Sequence, residues 1–403
     1  MRLCPICSKD SILLIEIIPL LGYNDYPING PYILSQCGDC GFYYGNVSAS
    51  QTDLDNYYIN LSKYENIDTI AMGSGGITPL DQMRLQKTFS NVLKYINDKA
   101  ISILDVGCAN GGLLHVFQSN GYLNIHGNDP SRICALRTKQ NLGCIVYEGS
   151  FFKVNFERTF DLVTVTHVLE HVIDVLGFMR KILSILNEDG IIYLECPDAN
   201  SYNKVIHSPH QEFNTEHINH FDSSDYYNLA CILDVEYIDS GSISFSTETG
   251  NQYYASFGVL RKRKVDHSND KFRRDLTTDH AIKDYLKSSF MAMENLLNCS
   301  EFNKGNRIFM YGIGQLSFKL IAMLESMNCN LILYDGDTRN KGKKIGNYVV
   351  KYGNDIVFEN FEADDVILIC SIISFTSIKN SLITFFNDSK RVAPNFISIE
   401  DLM

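Results

Sequence analysis

The run ISILDVGCANGGLL, residues 101–114, constrains this chain more than any other stretch. Its β-branched opening reads as a strand, its glycines as a tight turn, and its leucines as the start of a helix. Glycine lets backbone approach a ligand where a side chain would block it. Asp105 closes the strand, and Asp129, in IHGNDPS, stands where a second strand should end. A glycine turn followed by an acid at the next strand end predicts an adenosine-type ligand. The order Gly107-Cys108-Ala109-Asn110-Gly111-Gly112 does not keep the G-x-G-x-x-G spacing that cradles a pyrophosphate.

At 403 residues the chain is too long for one compact α/β unit, so roughly two or three domains are expected. Acidic residues outnumber basic ones, 47 to 35, and the only notable basic run is the short RKRK at 261–264, which reads as a solvated strand end or linker. A nucleic-acid backbone needs clustered Lys and Arg, so this balance argues against nucleic acid as substrate. The apolar run SILLIEIIPLL at 11–21 is interrupted by Glu16 and too short to span a bilayer. It lacks the charged flank and cleavage site of a secretion signal. No membrane span is expected, and the chain reads as cytoplasmic.

Twelve cysteines without a secretion signal argue against a disulfide framework. Cys4-Pro5-Ile6-Cys7 and Cys37-Gly38-Asp39-Cys40 form two Cys-x-x-Cys knuckles, and four thiolates make the closed tetrahedral shell of structural zinc. A redox pair needs one such motif at a helix start, whereas Pro5 and Gly38 suit turns. Cys134, Cys144, Cys196, Cys231, Cys329 and Cys370 sit among apolar residues and read as small core fillers. Between the knuckles and the glycine turn lies DNYYINLSKYEN. Its Tyr57, Tyr58 and Tyr64 read mainly as packing residues, with Tyr64 the best candidate for a pocket. A helix from about Asp81 to Ile96 leads into the strand at 101.

His167-Val168-Leu169-Glu170-His171 matches H-x-x-E-H, a peptidase zinc pattern that belongs inside a long helix. Here it follows DLVTVT, a strand by its β-branched content, which argues against that reading. Glu170 and His171 are expected to open and orient the next helix. Further on, Glu216, His217 and His220 fall close together ahead of DSSDYYNLA, where Asp222 and Asp225 read as an N-cap with an acid in the first turn. A histidine beside a carboxylate suits general-base work. The bland alternative is a loop that only packs over the ligand.

Together these pieces resemble the class I S-adenosylmethionine-dependent methyltransferases. ISILDVGCANGGLL resembles their motif I, GSFF at 149–152 the segment flanking the adenine, and FDLVTVTHVLEHV at 160–172 the fourth strand, whose tip faces the methyl group. The segment MRKILSILNEDGIIYLECPD continues with helix, turn and fifth strand in the family's order. The resemblance implies S-adenosylmethionine held by Asp105, Gly107, Cys108, Ala109 and Gly111, by Asp129 and Pro130, by Ser150 and Phe151, and by Thr166 and His167.

The whole chain is similar in order to the nucleotide-sugar C-methyltransferases. That group has an N-terminal four-cysteine zinc module, a central methyltransferase domain and a C-terminal Rossmann-like domain that helps hold the sugar nucleotide. The corresponding domains here are 1–66, with the connector, then 67–265 and 266–403. The expected fold class is therefore α/β, a Rossmann-like methyltransferase domain between a small zinc module and a second Rossmann-like domain. The group's Tyr-His-Glu-His stretch falls on Asn214-Thr215-Glu216-His217, so Glu216 and His217 match while Asn214 replaces the tyrosine and Thr215 the first histidine. An Asn amide can also donate a hydrogen bond to a developing oxyanion. The resemblance implies a small-molecule substrate, a nucleotide-linked keto sugar, with Glu216, His217 and Tyr64 as catalytic residues. O- or N-methylation of a sugar or small metabolite is the alternative within the class. A non-catalytic binding module of a glycan-assembly complex is the alternative outside it, and the intact glycine turn and Glu–His pair argue against that.

In the C-terminal third, Gly312-Ile313-Gly314-Gln315-Leu316-Ser317 forms another strand–turn–helix signal, with Asp335 at the next strand end. A platform for substrate is favoured over a second cofactor site. Lys341, Lys343 and Lys344 could meet a diphosphate, although such a run is more often simply solvated.

Overall fold

The computed structural model describes residues 2–61, 76, 79–204, 208–246, 252–298, 302, 306–362, 364–371, 375–391 and 394–398. Tyr64 lies outside the described residues. The chain divides into two compact units, each assembled from separated segments. The first comprises Met1–Leu14, Ser35–Ser201 and His217–Asp279, and the second Ile15–Leu34, Tyr202–Glu216 and His280–Met403.

After the first cysteine knuckle come strands β1 (Ile12–Ile18), β2 (Tyr32–Cys37) and β3 (Tyr43–Gly45), then helices α1 (Gln51–Leu61) and α2 (Pro79–Val92). The expected helix ends at Val92 rather than at Ile96. From there the first unit alternates strand and helix. In order these are β4 (Ile103–Val106), α3 (Gly112–Ser119), β5 (Ile125–Asp129), α4 (Arg132–Leu142), β6 (Ile145–Glu148), β7 (Phe160–Thr166), α5 (Val175–Ile185) and β8 (Leu186–Pro197). Then follow the short β9 (Asn219–His220), α6 (Ser223–Leu233) and the hairpin β10 (Val235–Ser246) and β11 (Gln252–Lys264). The large sheet runs β10-β11-β8-β7-β4-β5-β6. Its β6-β5-β4-β7-β8 part is parallel, and the hairpin adds antiparallel on β8.

The chain leaves β4 toward β5 and β6, then returns to place β7 on the other side of β4. Such a reversal opens a crevice beyond the carboxyl ends of the central strands. The strands themselves read as continuous apolar runs because helices cover both faces, and Leu104, Val163, Val165, Ile192 and Leu194 are fully buried. Helix α5 adds Val175, Phe178, Met179 and Ile182 at helical spacing. Fully burying each such side chain contributes roughly 1.5–3 kcal/mol. Local capping sets the helix ends. Ser131 accepts the Cys134 N–H to start α4, and Asp222 with Asp225 forms a capping box on α6.

The second unit carries its own parallel sheet. The strands are β12 (Arg307–Tyr311), β13 (Asn330–Asp335), β14 (Lys344–Ile345), β15 (Tyr348–Val349), β16 (Lys351–Tyr352), β17 (Val366–Ile369) and β18 (Asn395–Ser398). Those of the sheet order as β16-β13-β12-β17-β18, while β14 and β15 pair as a separate hairpin. The protein is thus mixed α/β with parallel sheets in both units. No helix among the described residues is long and apolar enough to cross a membrane.

Candidate active site

Gly107 follows β4 with φ 75°, and a Cβ there would meet Val168 Cγ2 at 2.4 Å. Only glycine fits both the conformation and the space. The Gly107 and Cys108 N–H groups donate to the Asn128 carbonyl at 2.8 and 3.0 Å, which ties the turn to the end of β5. Asp129 completes the tie, accepting the Ala109 N–H through Oδ2 and the Ser131 N–H through Oδ1, both at 2.8 Å. Two backbone donors thereby hold its carboxylate in one orientation. Gly111, with φ 80°, is the residue before α3.

A cleft with about 1060 Å³ of free space, counted out to its open mouth, lies beyond these strand ends. Asp105, Gly107, Cys108 and Ala109 line it from the turn, Asp129 and Pro130 from the end of β5, Ser150 and Phe151 from the segment after β6, and Thr166 and His167 from the end of β7. Of the residues expected around the cofactor, Gly111 is the one outside the lining. It instead packs beside Thr138 and starts the helix.

The lining also contains Asp55 and Tyr58 from α1 and Arg84 from α2. Sequence reasoning misses Asp55 and Arg84 and favours packing for Tyr58. Asp55 accepts the Ser150 hydroxyl at 2.6 Å, which links α1 to the segment after β6. Arg84 is only 7% exposed, and its Nε and Nη1 have no hydrogen-bond partner among the described residues. The charges of Asp105 and Glu195 already act on this guanidinium, and its two unsatisfied donors can take a further anion in the cleft. The available signal was a lone arginine in the helix that leads into the glycine-turn strand. Of the tyrosines weighed, Tyr58 lines the cleft while Tyr57 is buried and meets its ring edge-on, with centroids 5.1 Å apart.

Burial pushes Asp105 up to about 7, and the neighbouring Asp129 charge adds to that while a 2.7 Å bond from the Thr164 hydroxyl opposes it. His167, with φ 56°, sits between two buried carboxylates. Its Nδ1 lies 3.3 Å from Glu170 and its Nε2 3.4 Å from Glu195. Burial alone would lower His167, yet these two contacts outweigh it and raise its pKa. Glu195 in turn accepts from Thr88 and Tyr193 at 3.0 and 2.9 Å. Burial would raise Glu170, but the surrounding His171, His167 and His217 bring it down to about 2.

Glu170 and His171 do not open the next helix. They form a single 3₁₀ turn, Leu169–His171, while Asp174 caps α5 by accepting the Gly177 N–H at 2.8 Å. The two histidines of the H-x-x-E-H pattern therefore do not share a long helix. His171 lines the cleft, stacks edge-on against Tyr58 at 5.6 Å, and meets the ring of His217 at 5.1 Å. Glu216 falls in the second unit, its N–H bonded to Asn214 Oδ1 at 2.8 Å. The Asn214 amide donates to the Gln211 carbonyl at 2.9 Å, so it serves this local turn. His220 is buried in β9, which pairs with β3.

Cys4, Cys7, Cys37 and Cys40 are all buried, and their sulfurs converge within 4.8 Å of one another. The closest pairs, Cys4–Cys40 and Cys7–Cys37, stand at 3.5 Å, and all are free thiols. Four soft donors at this spacing match a tetrahedral thiolate site. In the second unit, Asp335 repeats the arrangement of Asp129, accepting the Ile313 N–H at 2.8 Å and the Asp337 N–H at 2.7 Å. Lys341 stands 3.8 Å from Asp355 and Lys343 donates to Asn340 at 3.1 Å, which fits the solvated reading of that run.

Residues 81–231, from within α2 to within α6, match a protein family described as methyltransferase domain. Among solved structures, magnesium protoporphyrin IX methyltransferase (ChlM) from Synechocystis PCC 6803 with bound SAH is similar at 14% identity, over 53% of this chain and 100% of that one, with a TM-score of 0.42. The PH0226 protein from Pyrococcus horikoshii OT3 is similar at 16% identity, over 46% of this chain and 92% of that one, with a TM-score of 0.38. Coclaurine N-methyltransferase bound to N-methylheliamine and SAH is similar at 16% identity, over 46% of this chain and 74% of that one, with a TM-score of 0.36. No curated protein matches. The matched segment is a methyltransferase domain. The chain is an enzyme, a methyltransferase.

Proposed function

We propose that this enzyme binds S-adenosylmethionine in the cleft of the first unit and methylates a nucleotide-linked keto sugar at the carbon beside its carbonyl. The supporting observation is one cleft whose lining joins a carboxylate fixed by the glycine turn, Asp129, to two imidazoles beyond β7, His167 and His171, the first of them held by buried Glu170 and Glu195. Asp129 suits the ribose hydroxyls, since both its oxygens are already aimed by backbone donors. Phe151 and Ser150 suit the adenine. Arg84, with two buried unsatisfied donors, suits the methionine carboxylate, and Asp105 the methionine ammonium. When bound, S-adenosylmethionine supplies an electrophilic methyl group on a sulfonium. His217 or Glu216 removes the proton beside the sugar carbonyl, and the resulting enolate carbon is the nucleophile. Most of the acceleration comes from holding that carbon in line with the methyl and from supporting the oxyanion.

Cys4, Cys7, Cys37 and Cys40 hold structural zinc in this reading, with no open position for chemistry. The three-part order of zinc module, methyltransferase domain and C-terminal Rossmann-like platform belongs to the same proposal. The test uses purified protein, S-adenosylmethionine and a pool of nucleotide sugars, followed by mass spectrometry. The reading predicts S-adenosylhomocysteine together with a sugar nucleotide heavier by one methyl group. In His217→Ala and Glu216→Gln this product should fall strongly while S-adenosylhomocysteine still binds. Full activity in both variants would remove the pair from the mechanism. NMR of the product, showing the methyl on oxygen or nitrogen, would replace C-methylation by the O- or N-alternative.

A further inference from the structure

We propose that Glu170, His171 and His217 form a binding site for a divalent transition-metal ion at the edge of the cleft. One ligand atom from each lies within 4.8 Å of the others, all three residues in the first unit. Two imidazoles and one carboxylate on one side of an ion are a recurrent donor set for Zn²⁺, Fe²⁺, Mn²⁺ and Co²⁺. This grouping is not the H-x-x-E-H pattern, since His217 comes from a distant loop.

A second observation points to a cation. Glu170 is 1% exposed, and its Oε2 has no hydrogen-bond partner among the described residues. A buried carboxylate oxygen left without a partner is costly, and an ion satisfies it. The other oxygen, Oε1, is 3.3 Å from His167 Nδ1, and His167 is itself oriented by Glu195 and by the Tyr253 hydroxyl at 3.1 Å. Support of this kind behind a ligating carboxylate is what orients a metal ligand.

The two segments that carry the ligands are also joined in advance. The Ile218 N–H donates to the Glu170 carbonyl at 2.8 Å, and the Asn219 amide donates to the Leu169 and Val172 carbonyls at 2.6 and 2.7 Å. Of the three ligands, His171 also lines the cleft, so the remaining coordination positions of the ion can open toward a bound molecule. There the ion would draw electron density from an acceptor oxygen and acidify the adjacent C–H or O–H. This use of the ion rests on the function proposed above. It makes His217 a ligand rather than the base.

The experiment uses the full chain loaded with one equivalent of Zn²⁺ per chain, which four thiolates take ahead of two imidazoles and a carboxylate, then titrates Mn²⁺ and follows the loss of the free-ion EPR signal. Mn²⁺ favours oxygen and nitrogen over thiolate, so the cysteine knuckles do not compete. The expected result is one Mn²⁺ per chain, with affinity at least about tenfold weaker in Glu170→Gln and in His171→Ala, since loss of even an outer-shell partner costs roughly 10–100-fold. Thermal melts of both variants report folding, and near-isosteric Glu170→Gln guards against a merely collapsed site. No Mn²⁺ binding by the wild type, or wild-type affinity in a folded Glu170→Gln, overturns the proposal. S-adenosylhomocysteine binding by the wild type is measured in parallel. Its failure would strike the proposed function, whereas its success without Mn²⁺ binding would strike the metal site alone.

Discussion

Asp105 and Asp129 show how two carboxylates at successive strand ends can differ in kind. Asp129 is fixed by two backbone donors, whereas Asp105 is buried and stands at about 7. If Asp105 meets the ammonium of the bound cofactor, only its ionised form serves. Binding then releases a proton below about pH 7, so affinity for S-adenosylhomocysteine should fall as pH drops through that value and level off above it. Calorimetry across about pH 6–8 checks this, and Asp105→Asn should flatten the profile. Arg84→Gln should weaken binding by about tenfold or more at constant pH, because a charged hydrogen bond contributes about 1.5–3 kcal/mol. An unchanged dissociation constant would show that the guanidinium serves another anion. Asp105, Gly107 and Asp129 were legible because strand, turn and acid are local in sequence. Arg84 and Asp55 were not, since nothing in their own neighbourhoods says which face of α1 or α2 turns toward the cleft.

The turn after β4 and the cysteine knuckles are the two elements with the least tolerance. Gly107→Ala places a Cβ against Val168 and forces a positive φ on an L-residue, at a cost of about 1–2 kcal/mol. A lower melting temperature together with weaker cofactor binding is the expected outcome, read by a thermal melt with and without S-adenosylhomocysteine. Cys37→Ser should release the zinc held in the proposed site and lower the melting temperature, because structural zinc contributes folding free energy directly. Metal analysis of the purified variant, matched against wild type, checks it. Wild-type metal content in Cys37→Ser would refute the four-thiolate site. The alternation of strand and helix from β4 to β8 could be read from apolar runs and glycine punctuation. The break between Leu169–His171 and α5 could not, because it depends on Asp174 taking the Gly177 N–H and on His167 adopting a left-handed backbone conformation.

The two compact units draw on interleaved stretches of chain. Residues 15–34 and 202–216 join the C-terminal segment rather than their sequence neighbours. Composition marks linear boundaries, so an assembly built from long-range contacts leaves little trace in it. One consequence is that Glu216 and His217, adjacent in sequence, fall on either side of a unit boundary. In the proposed function the cleft of the first unit is the site of S-adenosylmethionine, anchored by Asp129. Its most direct test is calorimetric titration of S-adenosylhomocysteine into the wild type and Asp129→Ala. One molecule bound per chain, weakened by about 10–100-fold in the variant, is the predicted result, as expected for the loss of charge-assisted bonds to the ribose. No binding by the wild type, or equal affinity in both proteins, would contradict it.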